Sequence, residues 1–154
     1  MSNESHMLRE AHAVWKDGPY AGEGLLSTPS GILNNAKYTF GSLTDLHGNT
    51  SPCEMLAAAI ASCMSRMVAV EMAKVGIKPS QVETNAALIL DSVGDAYRIV
   101  AVHLKIVART IGSKRDQFEE AVESARRECP IASVLNLDIQ CEPEMVGAAA
   151  PALV

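Results

Sequence analysis

Residues 51–76 read SPCEMLAAAIASCMSRMVAVEMAKVG, and this stretch decides the fold. Ser51 is a good N-cap, Pro52 suits the first helical position, and Glu54 completes a Ser-x-x-Glu capping box. Gly76 ends the segment and Pro79 stands beyond it, so a helix is predicted from Ser51 to about Val75. Met55, Leu56, Ala59, Ile60, Cys63, Met64, Met67 and Val68 occupy nearly all of its circumference. A helix apolar on almost every face is expected to be buried on most sides. One sheet of a small domain cannot cover such a helix, so its remaining surface is expected to meet a second subunit in a homodimer.

Outward from this helix the chain alternates toward strands. Ahead of it, residues 11–15, 24–28 and 37–40 read as three short strands, with a turn at Pro29-Ser30-Gly31. After it come two longer strands, residues 82–90 and 97–109, joined across 91–95. In the second, Val100, Val102, Leu104 and Ile106 fall on one face, while Arg98, His103 and Lys105 are more polar. Residues 113–128 read as an amphipathic helix with Phe118, Val122 and Ala125 inward. Pro130 stops it and is expected to open a shorter helix through Leu135, before a last strand over 137–142. This order predicts an α+β fold with antiparallel sheet around a long buried central helix. A single domain of 154 residues is expected, with 1–7 and 147–154 frayed.

Composition narrows the function. Aromatic residues make up only 4%, so the core must be built from Ala, Val, Ile, Leu and Met. The net charge of −5, without a basic run, argues against nucleic acid and against a polybasic membrane anchor. The polar start, residues 1–6, lacks the apolar core of a secretion signal, and Arg66, Glu71 and Lys74 interrupt the most apolar stretch. A cytoplasmic protein that spans no membrane is expected. Four cysteines in such a chain read as free thiols or redox chemistry. His6, His12, His47 and His103 lack ligand spacing, so no metal is expected. No Gly-rich phosphate loop appears, and no organic cofactor is expected.

Two of the cysteines stand out. Cys63 lies mid-helix, where its context alone describes a buried small hydrophobe. Cys129 precedes Pro130, which restricts it to an extended backbone; if Pro130 opens a helix, Cys129 is its N-cap. A pair of thiols able to meet would explain both positions. Cys53, at the second helical position, is an accessory candidate against the plainer reading of a surface cysteine, and Cys141 reads as structural.

Taken together, these segments resemble the OsmC/Ohr family of thiol-dependent hydroperoxide reductases, from Trp15 to about Cys141. Residues 26–34, LSTPSGILN, look like the family's N-terminal strand pair. Residues 49–63, NTSPCEMLAAAIASC, look like its NPEELxxAAxAAC helix, and 128–135, ECPIASVL, like its CPxSxxL element. The resemblance implies an OsmC-like fold and an intertwined homodimer with active sites at the subunit interface. It also implies that Cys63 attacks an organic hydroperoxide and becomes a sulfenic acid, that Cys129 resolves it as a disulfide, and that a dithiol restores both.

The chain departs from the family at an activating ion pair. Leu43 stands where the OsmC branch carries an Arg, and Cys53 stands where the Glu belongs, ten residues before Cys63. Glu54 is the neighbouring carboxylate, though the capping box accounts for it. Arg66, three residues after Cys63 on the same helix face, is the candidate substitute for the missing Arg. A second reading therefore stays open: a redox-sensing or small-molecule-binding protein that keeps the fold and thiols without turnover. A third uses Cys53 in exchange with Cys63 or Cys129.

Overall fold

The computed structural model describes residues 7–19, 21–39, 48–112 and 114–147. It falls into two compact units that divide between Met55 and Leu56. The first carries strands β1 (His12–Lys16), β2 (Glu23–Ser27) and β3 (Ala36–Tyr38) in an antiparallel sheet of that order. Asp17 and Gly18 turn the chain after β1 with φ of 67° and 92°. Gly24 sits in register between Trp15 and Tyr38, whose rings lie 5.8 Å apart. A Cβ at Gly24 would overlap the Tyr38 ring, so this strand position needs glycine for close approach. Past β3, Thr39 N–H donates to the Thr50 carbonyl and Thr50 N–H to that of Lys37, which leads the chain into the helix. Leu43 lies outside the described residues.

Helix α1 (Pro52–Lys74) opens at that division and runs on as the core helix of the second unit. Its buried side is a single stripe of Ile60, Met64, Val68, Glu71 and Met72. The sequence predicts burial on most sides with a second subunit covering the remainder; within the single chain Ala58, Ser62, Arg66 and Ala73 are exposed. One three-stranded sheet covers only one side of a cylinder. By length and composition α1 is apolar enough to cross a membrane, a property that the core helix of a soluble protein shares.

That sheet joins β4 (Gln81–Val93), β5 (Ala96–Thr110) and β6 (Asp138–Gly147), with β5 central. Val102, Leu104, Ile106 and Ala108 of β5 are fully or nearly fully buried, and Ser65 Oγ donates to Thr84 Oγ1 at 2.9 Å to tie α1 to β4. Val100 leaves the predicted face: the pairing slips between Ile89 and Leu90, and Val100 becomes the extra residue of a bulge, 40% exposed. β4 and β5 pair antiparallel, as a hairpin must, but β6 lies parallel to β5. A parallel neighbour needs a crossover. Helix α2 (Arg115–Glu128) supplies it, burying Phe118, Ala121, Val122 and Ala125. β6 is an edge strand, which is why Pro143 is tolerated inside it. Gly147, predicted to fray, closes β6 opposite Thr110. Residues 1–6, 113 and 148–154 lie outside the described residues.

We expect Gly24→Ala to destabilise the protein by about 1–3 kcal/mol, since the Tyr38 ring must move to admit the methyl group. Urea unfolding followed by the fluorescence of Trp15, the chain's one tryptophan, measures it; an unchanged midpoint would show that the ring yields freely.

Candidate active site

Cys63 and Cys129 meet in the second unit. Their sulphurs lie 2.8 Å apart, within hydrogen-bonding reach of each other. Cys63 faces the core from the middle of α1, next along the helix to the buried Met64, and is partly exposed. Cys129 is 0% exposed.

The turn that carries Cys129 is closely hydrogen-bonded. Cys129 caps the C-terminus of α2 in an extended conformation (φ −67°, ψ 116°), as a residue before proline should. Its N–H donates to the Ala125 carbonyl at 2.9 Å, and its own carbonyl accepts the Ser133 N–H at 2.9 Å. Ser133 Oγ donates to the Pro130 carbonyl at 3.1 Å. The predicted helix after Pro130 is a short 3₁₀ turn, Ala132–Val134, capped by Ile131 and not by Cys129. Pro130 has no N–H to give, so the first amides free to point back at the sulphurs are those of Ile131 and Ala132. Ala132 N–H donates to Cys129 Sγ at 3.4 Å, and a backbone hydrogen bond links Ile131 to the Cys63 sulphur.

These surroundings set the protonation of Cys63. Burial is the largest influence and pushes its thiol above the ordinary value; the hydrogen bond with Cys129 pushes the same way. The Ile131 amide pulls it down, Cys129 adds a further upward push by charge, and Arg66 contributes the smallest downward pull. Arg66 is exposed and its guanidinium approaches Met67 Sδ at 3.9 Å, so its effect on Cys63 is that of a charge at a distance.

The remaining predicted residues stand apart from this contact. Glu54 belongs to the helix cap: its N–H donates to Ser51 Oγ at 3.1 Å, and its carboxylate accepts from Thr50 Oγ1 at 2.5 Å. The Ser51 half of the predicted capping box is present, while the carboxylate reaches Thr50 and not the Ser51 amide. Cys53 is partly exposed in the same first turn. Cys141 lies on the inward face of β6, its thiol pushed up by burial against a downward pull from Arg126. Among the described residues no three of His, Cys, Asp and Glu gather to hold a metal. A hollow of about 330 Å³ on the second sheet, lined by Asn85, His103, Lys105, Gln140 and Glu142 among others, includes neither Cys63 nor Cys129. The sequence does not reveal the amides of Ile131 and Ala132, because a backbone N–H has no residue type of its own.

We expect Cys129→Ala to move the titration of Cys63 to lower pH, because both influences that Cys129 exerts on it raise the thiol. The pH profile of iodoacetamide alkylation at Cys63 measures this, and an upward shift would contradict the assigned cause.

Comparison with known proteins bears on this arrangement. The family model described as OsmC-like protein matches residues 45–144. Peroxiredoxin OsmC of Escherichia coli (strain K12) is 29% identical over 140 residues, which cover 91% of this chain and 96% of the relative. Among solved structures, an OsmC-like protein of unknown function from Vibrio cholerae superposes with a TM-score of 0.74 at 19% identity, covering 90% of this chain and 99% of the other. The organic hydroperoxide resistance protein OhrB of Bacillus subtilis gives 0.60 at 18% identity, covering 89% and 98%. At such identities the structural likeness shows the fold alone.

Proposed function

The chain belongs to the OsmC family of OsmC-like proteins, and on that premise we propose that it is a thiol-dependent peroxidase that reduces organic hydroperoxides through Cys63 and Cys129. The relatives support a peroxidase-type redox role in broad terms, since a peroxiredoxin aligns over nearly the whole chain. The observation that carries the finer reading is the 2.8 Å approach of the two sulphurs, which lets them bond without refolding.

In the proposed cycle the Cys63 thiolate attacks the distal oxygen of the hydroperoxide. The O–O bond breaks, the alcohol leaves with a proton, and Cys63 becomes a sulfenic acid. Cys129 then attacks that sulphur, the S–S bond forms and water departs. A dithiol reductant returns both cysteines to thiols. Ile60 and Met67, one turn either side of Cys63, and Ile131 across from it pack with the core cluster. Their apolar surfaces favour organic hydroperoxides over hydrogen peroxide. No step draws on a metal or an organic cofactor.

The same reading takes the chain as one OsmC-like domain working as an intertwined homodimer. The exposed face of α1, Ala58, Ser62 and Ala73 beside Arg66, is the surface for a second copy. A cytoplasmic location suits a cycle that ends on a dithiol. Arg66 acts as an accessory charge, while Glu54 and Cys53 take no part in the cycle.

The raised Cys63 thiol favours a second reading, a slow redox sensor without turnover, because only the thiolate reacts. Mixing the reduced protein with cumene hydroperoxide decides between them. We expect catalytic consumption in the presence of a dithiol, abolished by Cys63→Ser and retained in Cys53→Ser. Consumption no faster than that of an ordinary thiol, with a single oxidation per chain, would establish the sensor.

Two further outcomes follow from the influences on Cys63. The rate should climb about tenfold per pH unit above neutrality, since a thiol held above its ordinary value is mostly protonated there. Arg66→Ala should lower the rate by less than about fivefold, as an exposed charge acting at a distance is heavily screened. A flat pH profile would show that the thiol is already ionised at neutrality, and complete loss in Arg66→Ala would show that Arg66 carries the activation.

A further inference from the structure

The two sulphurs differ in what can reach them. Cys129 has no accessible surface in the isolated chain, whereas Cys63 is partly exposed. Assembly of further copies covers surface and never uncovers it, so Cys129 is closed to an outside thiol in any assembly of this folded chain. Each sulphur has a backbone amide beside it: Cys129 Sγ accepts the Ala132 N–H at 3.4 Å, and Ile131 bonds the Cys63 sulphur.

We infer that reduction of the Cys63–Cys129 disulfide enters at Cys63: the thiolate of an external dithiol attacks the Cys63 sulphur, and Cys129 leaves as a thiolate held by the Ala132 N–H. The inference rests on the proposed disulfide but not on a hydroperoxide being the oxidant. A bond forms between the reductant sulphur and Cys63 Sγ as the Cys63–Cys129 bond breaks, and its electron pair passes to Cys129 Sγ. The reductant's second thiolate then attacks its own sulphur in the mixed disulfide, closing the reductant's disulfide and freeing the Cys63 thiolate. The dithiol loses two electrons and two protons; the protein gains two electrons, and the protons end on Cys63 and Cys129.

Exchange rates depend on access to the attacked sulphur and on how well the departing thiolate is stabilised. Access favours this direction, and the Ala132 N–H gives the departing Cys129 thiolate a donor inside its buried site. Attack on Cys129 would require opening the turn from Cys129 to Val134, with its bonds from Ala132, Ser133 and Leu135. A thiolate expelled into a buried site without a donor is strongly disfavoured, and a hydrogen bond to a charged acceptor is about twice as strong as a neutral one. The Ala132 amide therefore touches a reacting atom in the reductive half of the cycle, while the Ile131 amide faces Cys63.

The test forms the disulfide with diamide, so that no peroxide is involved. The oxidised protein meets glutathione briefly, acid stops the exchange, and N-ethylmaleimide marks the freed thiol before fragmentation localises each label. We expect glutathione on Cys63 and maleimide on Cys129, in at least about tenfold excess over the reverse. Comparable labelling, or glutathione chiefly on Cys129, overturns the inference and leaves the peroxidase reading intact. Failure of diamide to join Cys63 and Cys129 at all overturns both. Replacing Ala132 with its α-hydroxy acid, by nonsense suppression, removes only the N–H. It should slow reduction by glutathione roughly tenfold with the adduct still on Cys63; an unchanged rate removes the amide from the step.

Discussion

Two sulphurs 66 positions apart in the chain meet because one sheet holds both of their helices. Strand β5 is the centre of that arrangement. Its inward residues Val102, Leu104, Ile106 and Ala108 pack in the same cluster as the α1 stripe and the α2 face. The crossover from β5 to the parallel β6 brings α2 back over the sheet, which ends it where Cys129 can reach Cys63. A protein interior is packed closely enough that neither helix slides without opening space. The S–S approach is thus a property of the core, and anything that loosens the core loosens the contact between the two sulphurs.

Burial and reactivity pull in opposite directions at this site. Covering Cys63 brings it to its partner and surrounds it with apolar side chains, yet the same burial disfavours the charged thiolate. The family's ion pair would offset that cost with a cation, and this chain has Cys53 in place of its carboxylate. Backbone amides take up part of the task here. An amide is a weaker partner than a guanidinium, but it is held by the turn itself and costs no side-chain entropy to orient. Arg66, on an exposed side chain, acts only from a distance.

Much of the fold was legible because the second half of the chain has long, regular periodicities. The start of α1 follows from Ser51-Pro52-x-Glu54, and Ser51 does cap the helix. The alternation in β4 and β5 and the Phe118, Val122 and Ala125 face of α2 are read equally directly. What periodicity does not show is where it slips. Val100 continues the alternation in sequence, and only the pairing with β4 reveals the bulge that turns it outward. Nor does alternation distinguish a parallel from an antiparallel neighbour, so the direction of β6 came from the crossover and not from its residues. Which neighbour covers each side of α1 is likewise not written in its residues: apolarity states what a face tolerates, and within one chain the sheet covers only the Ile60, Met64, Val68 and Met72 side.

The sequence by itself determined most of the elements and the apolar stripes that build the core, and its motifs singled out Cys63 and Cys129 by family resemblance, since local propensity and short motifs are written in consecutive residues. The tertiary structure alone decided the distance between the sulphurs, the complete burial of Cys129 against the partial exposure of Cys63, and the amides aimed at each. These depend on relations between segments remote in the chain, and on backbone groups that every residue but proline carries alike. Reactivity at a thiol is set by access and by the groups that stabilise its charge, and both are properties of position in space.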